Sequence, residues 1–284
     1  MPAIIDMLMP ASGDPYAEMA AVTLAPYHAA FASAGMTIVP RPWDRGPGTG
    51  ATTLALFAWG YHTRVAAWRA MLAAWPDDRL LLNPAVLLDW NTRKTYLSAL
   101  AAADVKIVPS WFGDADQASV DAAFDRFGVN ELVVKPQISG GSYCTARIGR
   151  GATVTPLADA IIQPLLDSVG GEGELSIIFI GGAFSHAARK VAQPGEFRVQ
   201  PQFGGVFTAW APSDDAMAIA RLALAALPAA PLYARVDLIR LADGSLALME
   251  LEAIEPDLYP DIDAGVPARL ASAVRAIIDR AQPQ

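Results

Sequence analysis

Lysine is scarce in this chain. Lys94, Lys106, Lys135 and Lys190 stand against 17 arginines, so lysine is not its default surface cation. Lys135 closes the run Val133-Val134-Lys135-Pro136, which reads as an exposed position at the end of a strand, and Ser139-Gly140-Gly141-Ser142 follows. Glycines free the backbone to turn N–H groups toward an anion, the physics of any loop that cradles phosphate. An ordinary hairpin turn beside a solvated lysine is the competing reading. Near the other end, Asp237 lies on one strand-like run, and Glu250 and Glu252 lie two apart on another. Residues two apart on a strand face the same side, so these two glutamates point together within an apolar segment. Side by side they repel unless a cation lies between them, and hard oxygen donors of this kind suit Mg²⁺. Alternatively both face solvent, each paired with an arginine such as Arg235 or Arg240.

Between these clusters, His186, Arg189, Lys190 and Arg198 fall within thirteen residues, flanked by Gly195-Glu196-Phe197 and Gly204-Gly205. Lys190 as a point charge and Arg198 as a bidentate fork suit a polyphosphate or an acyl phosphate. His186 on its own reads as structural. Cys144 has no base near it in sequence and reads as a small apolar filler.

The elements that must carry these residues follow from periodicity. Ala3 to Leu8, Thr37 to Pro40 and Thr53 to Phe57 read as buried strands, with helices at Tyr16 to Ala34 (ended by Gly35) and Tyr61 to Trp75 between and after them. This alternation predicts a small parallel α/β unit over residues 1–90. Beyond it, Asn91 caps a predicted helix to Ala102, Val105 to Val108 is a short strand, and Gln117 to Phe127 is a helix. Glu131 to Lys135 pairs as a hairpin with Ser142 to Ile148. The final block holds strands Leu175 to Ile180, Ala183 to Val191, Tyr233 to Arg240 and Leu246 to Leu251. Gly181-Gly182 and Asp243-Gly244 supply hairpin turns, and helices Asp214 to Leu227 and Pro267 to Ala281 cover the strands. The Pro/Gly-rich stretch Arg41 to Gly50 is the one loop long enough to be mobile.

Composition bounds the function classes. The 284 residues are 53% hydrophobic and 18% charged with a net charge of −8, which describes a compact globule without a nucleic-acid footprint. One cysteine forms no internal disulfide and points to a reducing compartment. No basic, clean apolar leader opens the chain and no run reaches the ~20 apolar residues a bilayer span needs, so the expected location is cytoplasmic, away from membranes.

Taken in order, these segments resemble the ATP-grasp superfamily, of the glutathione synthetase, RimK and D-alanine–D-alanine ligase type. Asn91 to Leu97 with Lys94, followed by Ile107-Val108-Pro109-Ser110, resembles the helix bearing the first nucleotide lysine and the strand after it. Lys135 matches the second nucleotide lysine, and Gly140, Gly141 and Ser142 match the lid loop. Ile162-Gln163-Pro164-Leu165-Leu166 resembles the hinge that reads adenine, and Glu174 stands where an acid faces ribose. Lys190 and Arg198 match the basic strand and loop facing phosphate, and Asp237, Glu250 and Glu252 match the metal set.

The resemblance implies an ATP-grasp domain over residues 91–284, with a lid-bearing part at 91–162 and a metal-binding part at 163–284. It implies ATP and Mg²⁺, with Mn²⁺ as a substitute, and ligation of a small carboxylate to an amine through an acyl phosphate. Amino acids or a small peptide-like metabolite are the expected substrates, cycloserine-type ring closure included, and relatives of this type often form homodimers. A small-molecule kinase and a non-catalytic ATP-binding regulatory subunit are the alternatives. The segment Glu255-Pro256-Asp257-Leu258-Tyr259 departs from the usual Pro-Gly pattern beside the acceptor substrate, and Glu252 replaces a common Asn.

Overall fold

A computed structural model describes residues 2–281 apart from residue 12. Three sheets share the chain. Strands β1 (Ala3–Met9), β2 (Met36–Pro42), β3 (Thr52–Leu54) and β4 (Leu80–Leu82) form a parallel sheet in the order β2-β1-β3-β4. Helices α1 (Ala17–Ser33) and α2 (Val65–Ala73) run between its strands, and α3 (Ala85–Asn91) leads out of it. The second sheet is antiparallel, with β5 (Trp111–Ala115), β8 (Leu157–Pro164), β6 (Glu131–Pro136) and β7 (Ala146–Gly149) in that order. The third, also antiparallel, runs β11 (Val206–Ala209), β10 (Ala183–Val191), β9 (Glu174–Ile180), β12 (Tyr233–Arg240), β13 (Leu246–Glu252). Helices α4 (Tyr96–Ala102), α5 (Gln117–Phe127), α6 (Asp214–Ala225) and α7 (Val266–Ala281) complete the chain. The α/β architecture is the expected one.

Local chemistry explains the best-predicted elements. Helix α5 opens on a capping box in which Asp116 accepts from the Ser119 backbone N–H at 2.8 Å and Ser119 Oγ accepts from the Asp116 N–H at 2.8 Å. The β9–β10 turn holds Gly181 and Gly182 at φ 63° and 80°, the left-handed geometry a tight hairpin demands. Core contacts cross the sequence: Val266, Leu270 and Val274 of α7 pack in one cluster with Ile5, Tyr27 and Phe31 of the parallel unit.

Several expectations need correction. Asn91 does not cap a helix; it ends α3, and α4 starts only at Tyr96. Residues Val105 to Val108 form no strand but dock on β13 through a single bridge, Ile107 to Leu248. The helix expected from Tyr61 opens as a 3-10 turn, Tyr61–Thr63, before α2, and the third strand stops at Leu54. Strand β7 starts at Ala146, because Gly140 to Thr145 is spent on turns. Strand β8 runs unbroken through residues 162 and 163, so that seam falls inside an element. The loop at residues 41–50 is held in place. Asp6, fully buried, accepts from Gly48 N and Gly50 N at 3.0 Å each.

Asn83 of the first unit and Asn91 just beyond it fasten the third sheet. Asn83 donates to Tyr233 O at 2.8 Å and Ala253 O at 2.7 Å and accepts from Leu232 N at 2.6 Å. Asn91 donates to Leu251 O and accepts from Ala253 N, both at 2.8 Å. Both residues are buried, so losing Asn83 leaves two carbonyls and an N–H without partners. Asn83→Ala is expected to lower unfolding free energy by about 3 kcal/mol. Urea denaturation checks this, and a loss below about 1 kcal/mol would show that water replaces the amide.

Candidate active site

The charged side chains gather where the two antiparallel sheets face each other. One cavity is lined by every nucleotide, phosphate and metal residue expected from the resemblance: Lys94, Lys135, Gly140, Gly141, Ser142, Gln163, Pro164, Leu165, Leu166, Glu174, Lys190, Arg198, Asp237, Glu250 and Glu252. Register explains the gathering. Asp237 pairs with Glu250 and Arg235 with Glu252 across β12 and β13, while Asp237 faces Ser176 on β9 and Lys190 faces Glu174 across β9 and β10. Glu250 and Glu252, two apart on β13, share the cavity face, and a bulge after Asp237 lets the ladder skip Met249. Gly173 precedes β9 because any Cβ there would collide with the Lys190 carbonyl.

The charges form a buried network. Arg235 Nη2 and Nε hold Asp237 Oδ2 at 3.0 and 3.1 Å, and Arg235 also bonds Glu252. Lys190 Nζ reaches Glu174 at 2.8 Å and Asp237 at 3.4 Å. Lys94 Nζ donates to Ser139 O at 2.8 Å and pairs with Glu250 at 3.1 Å, tying the lid loop to the carboxylates. Burial opposes the Asp237 charge, but Arg235 and Lys190 outweigh it and hold its pKa at about 2. Burial likewise opposes the charge on Glu250, yet Lys94 and Lys135 keep it below the usual carboxylate range. Glu252 goes the other way: burial, helped by Glu250 and Asp237 and only partly offset by Arg235, pushes it up to about 7. Thus both sequence readings of the glutamates hold part of the answer. They do point together, Arg235 pairs with Glu252, and Glu250 pairs with Lys94 rather than with Arg240, which binds Glu172.

Lys135 is half-buried rather than exposed, and no ion pair engages it among the described residues; burial lowers its pKa. Arg198 lines the cavity with its guanidinium clasped by Glu196 at 2.7 Å and stacked 3.6 Å from the Phe203 ring centre. Cys144 is exposed in the lid loop, which corrects its reading as apolar filler: the turns that precede β7 carry it outward. His186 is buried with Nδ1 3.0 Å from Ser185 Oγ, a structural position. The sequence reading missed Arg235 as a site residue, and it missed the apolar walls Val108, Val133, Ile239 and Met249. Arg235 was legible in principle, since it shares a strand face with Asp237.

Three carboxylates on neighbouring strands form a hard-oxygen donor set of the type Mg²⁺ takes. They do not converge on one point: among the described residues no three Asp, Glu, His or Cys side chains make a ready cluster, because Lys94, Lys190 and Arg235 stand between them. Glu252 is only partly offset by Arg235.

Comparison with known proteins agrees with this arrangement. The cycloserine biosynthesis protein DcsG of Streptomyces lavendulae is 32% identical over 240 residues, which span 76% of this chain and 79% of that protein. The chain belongs to the ATP-grasp ligases. The solved D-cycloserine synthetase DcsG matches this ATP-grasp ligase with a TM-score of 0.82 and 26% identity over 97% of this chain and 100% of that one. The fold is shared with the D-alanine–D-alanine ligase of Bacillus anthracis (TM-score 0.71, 14% identity, 98% of this chain and 96% of that one). It is also shared with the ATP-grasp ligase PsnB, solved with Mg and ADP (TM-score 0.65, 15% identity, 97% and 98%). No protein-family model matches the chain. As an ATP-grasp ligase the protein is an ATP-dependent enzyme that joins a carboxylate to an amine. None of its described helices is long and apolar enough to cross a membrane.

The Glu252 shift has a measurable sign. A carboxyl whose folded pKa of about 7 lies above its ordinary 4.5 binds more proton folded than unfolded. Its stabilisation is therefore present below the ordinary value and lost as pH rises toward and through about 7. Metal-free protein is expected to lose stability between those limits, and Glu252→Gln should flatten the loss. Thermal melts across the range in EDTA test this; equal slopes in both proteins would reject it.

Proposed function

We propose that the enzyme uses ATP to convert a substrate carboxylate to an acyl phosphate, which an amine then captures with release of phosphate. One observation carries the reading: every predicted nucleotide, phosphate and metal residue lines the same cavity between two sheets. In it, Val108, Val133, Leu165, Ile239 and Met249 provide a flat apolar slot for adenine beside the Gln163 to Leu166 segment. Glu174, on the same cavity wall, would accept from ribose. Lys94, Lys135 and Lys190 neutralise the polyphosphate, and Gly140, Gly141 and Ser142 close over it, excluding water that would hydrolyse an acyl phosphate. Arg235, fixed by Asp237, presents its charge to the oxygens on which negative charge grows.

Glu250 and Glu252, with Asp237 behind them, would hold Mg²⁺, and Mn²⁺ suits the same oxygen donors. A metal held there would supply positive charge to offset the negative charge that grows on phosphate. Residues 1–90 would form the preceding unit, residues 91–162 carry the lid and residues 163–284 the metal-binding part, with that seam lying within β8. The likeness to a D-cycloserine synthetase favours an amino-acid-like carboxylate as substrate, with ring closure through nitrogen as the specific outcome.

A panel of amino acids and amines scored for ADP release, with hydroxylamine added to trap acyl phosphate as hydroxamate, tests the proposal. Hydroxamate formation supports a ligase, whereas ADP without hydroxamate would make the protein a kinase. Lys135→Ala should lower turnover at least about 100-fold without unfolding the protein, because the lysine faces the cavity and packs in no core cluster. Near wild-type turnover would remove Lys135 from nucleotide binding. Glu250→Gln should raise the Mg²⁺ concentration needed for half-maximal rate about tenfold or more.

A further inference from the structure

Among the described residues several buried polar atoms lack a hydrogen-bond partner, and His62 is the side chain that contributes two of them. His62 sits on the 3-10 turn after β3, only 9% exposed, and neither ring nitrogen has a hydrogen-bond partner. A buried imidazole needs at least one of its nitrogens satisfied, so an orphaned ring facing a loop implies a missing ligand. Its surroundings belong to four segments. Tyr16 lies 6.2 Å away between ring centres with Asp14 beside it, Tyr61 lies at 6.0 Å, and Tyr143 of the lid at 5.3 Å. A Cβ added to Gly140 would stand 3.5 Å from His62 Nδ1 and 3.7 Å from Glu255 Oε1, so both side chains flank the lid glycine. Glu255 has no cation paired with it among the described residues, and Lys94 is the cationic group that acts on both. One base and one unpaired acid therefore stand together against the lid glycine.

We propose that His62 is the proton acceptor for the attacking nitrogen of the second substrate, with Glu255 beside the same lid glycine. The inference rests on the acyl-phosphate reading above. In the step, the nitrogen bonds the acyl carbon, the carbon–oxygen bond to phosphate breaks, phosphate leaves with that electron pair, and the nitrogen's proton passes to a free ring nitrogen of His62. Burial, with Lys94, lowers the imidazole pKa from 6.5, more than Asp14 restores, which keeps the ring neutral and a ring nitrogen open to a proton at physiological pH.

Hydroxylamine separates the roles, since it is uncharged near neutral pH and attacks an acyl phosphate unaided. His62→Gln removes the base, and His62→Phe keeps the aromatic packing while removing both nitrogens. Both variants should form hydroxamate within about twofold of wild type. Both should lose about 100-fold in kcat with the amine found by the ADP-release panel, and the acid limb of the kcat–pH profile should vanish. Unchanged kcat with the amine overturns the proposal, and so does an equal loss of hydroxamate, which would make His62 a support for the lid. No hydroxamate from wild type overturns the acyl-phosphate reading itself, a failure visible before any variant is made.

Discussion

Asp237 is the charge on which the remaining site depends. It is almost fully buried in the middle of a five-stranded sheet, where an isolated carboxylate could not stay ionised. Arg235, Lys190 and Ser176 converge on it from three directions. Each partner is then held by its own second acid, Glu252 for Arg235 and Glu174 for Lys190. A buried ion pair is poor evidence for stability, because desolvation cancels much of its Coulomb energy. Its retention here makes sense as positioning. The pairs fix two cations and two acids at the cavity wall in one geometry, ready to exchange partners when phosphate and metal oxygens arrive.

That wall is only as rigid as the strands that carry it, and the strands are fastened from outside their own sheet. Asn83 and Asn91 grip the ends of β12 and β13 through main-chain atoms, so the parallel unit supports the charge network directly. The lid obeys the opposite rule. Ser142 and Cys144 adopt φ of 63° and 50°, conformations uncommon for residues with side chains, and the loop is tied to the wall chiefly through Lys94 on Ser139. A rigid plate with a lightly tethered cover is what an enzyme needs when it must admit ATP and then exclude water.

Much of this was legible in the sequence, for physical reasons that differ by element. Strands β9, β10, β12 and β13 stood out because they are apolar runs bounded by Gly-Gly and Asp-Gly turns, and Glu250 and Glu252 could be read as neighbours from the period of two. Lys135 and the lid glycines were legible because lysine is rare in this chain. Other features depend on tertiary contacts and leave no local trace. Asn91 looks like a helix cap by residue type, yet its amide is committed to β13, and the helix it was meant to start begins five residues later. Residues Val105 to Val108 have strand composition but meet only one bridging partner. Strand β5 contains Gly113 at φ 150° and a register shift, so no clean alternation announces it. His62 was invisible because its significance lies in partners it lacks, and a sequence never displays an absence.

Arg198 shows how a resting charge network constrains the order of events. Its guanidinium is clasped by Glu196 only two residues away, and the stacking on Phe203 holds the pair at the rim of the cavity. A polyphosphate must therefore compete for it. The contest is uneven, since a partly exposed pair such as this one is worth about 1 kcal/mol or less, whereas a phosphate offers several charged oxygens in bidentate geometry. Lys190 is different: buried between Glu174 and Asp237, it cannot turn to phosphate without leaving two acids uncompensated. On the proposed reading, incoming nucleotide would meet Lys135 first, because among the described residues that lysine has no ion pair to break. Arg198 would be recruited next by exchange, and Lys190 would contribute from its fixed place. The readiness of each cation follows from the carboxylate that already holds it, not from its distance to the phosphates.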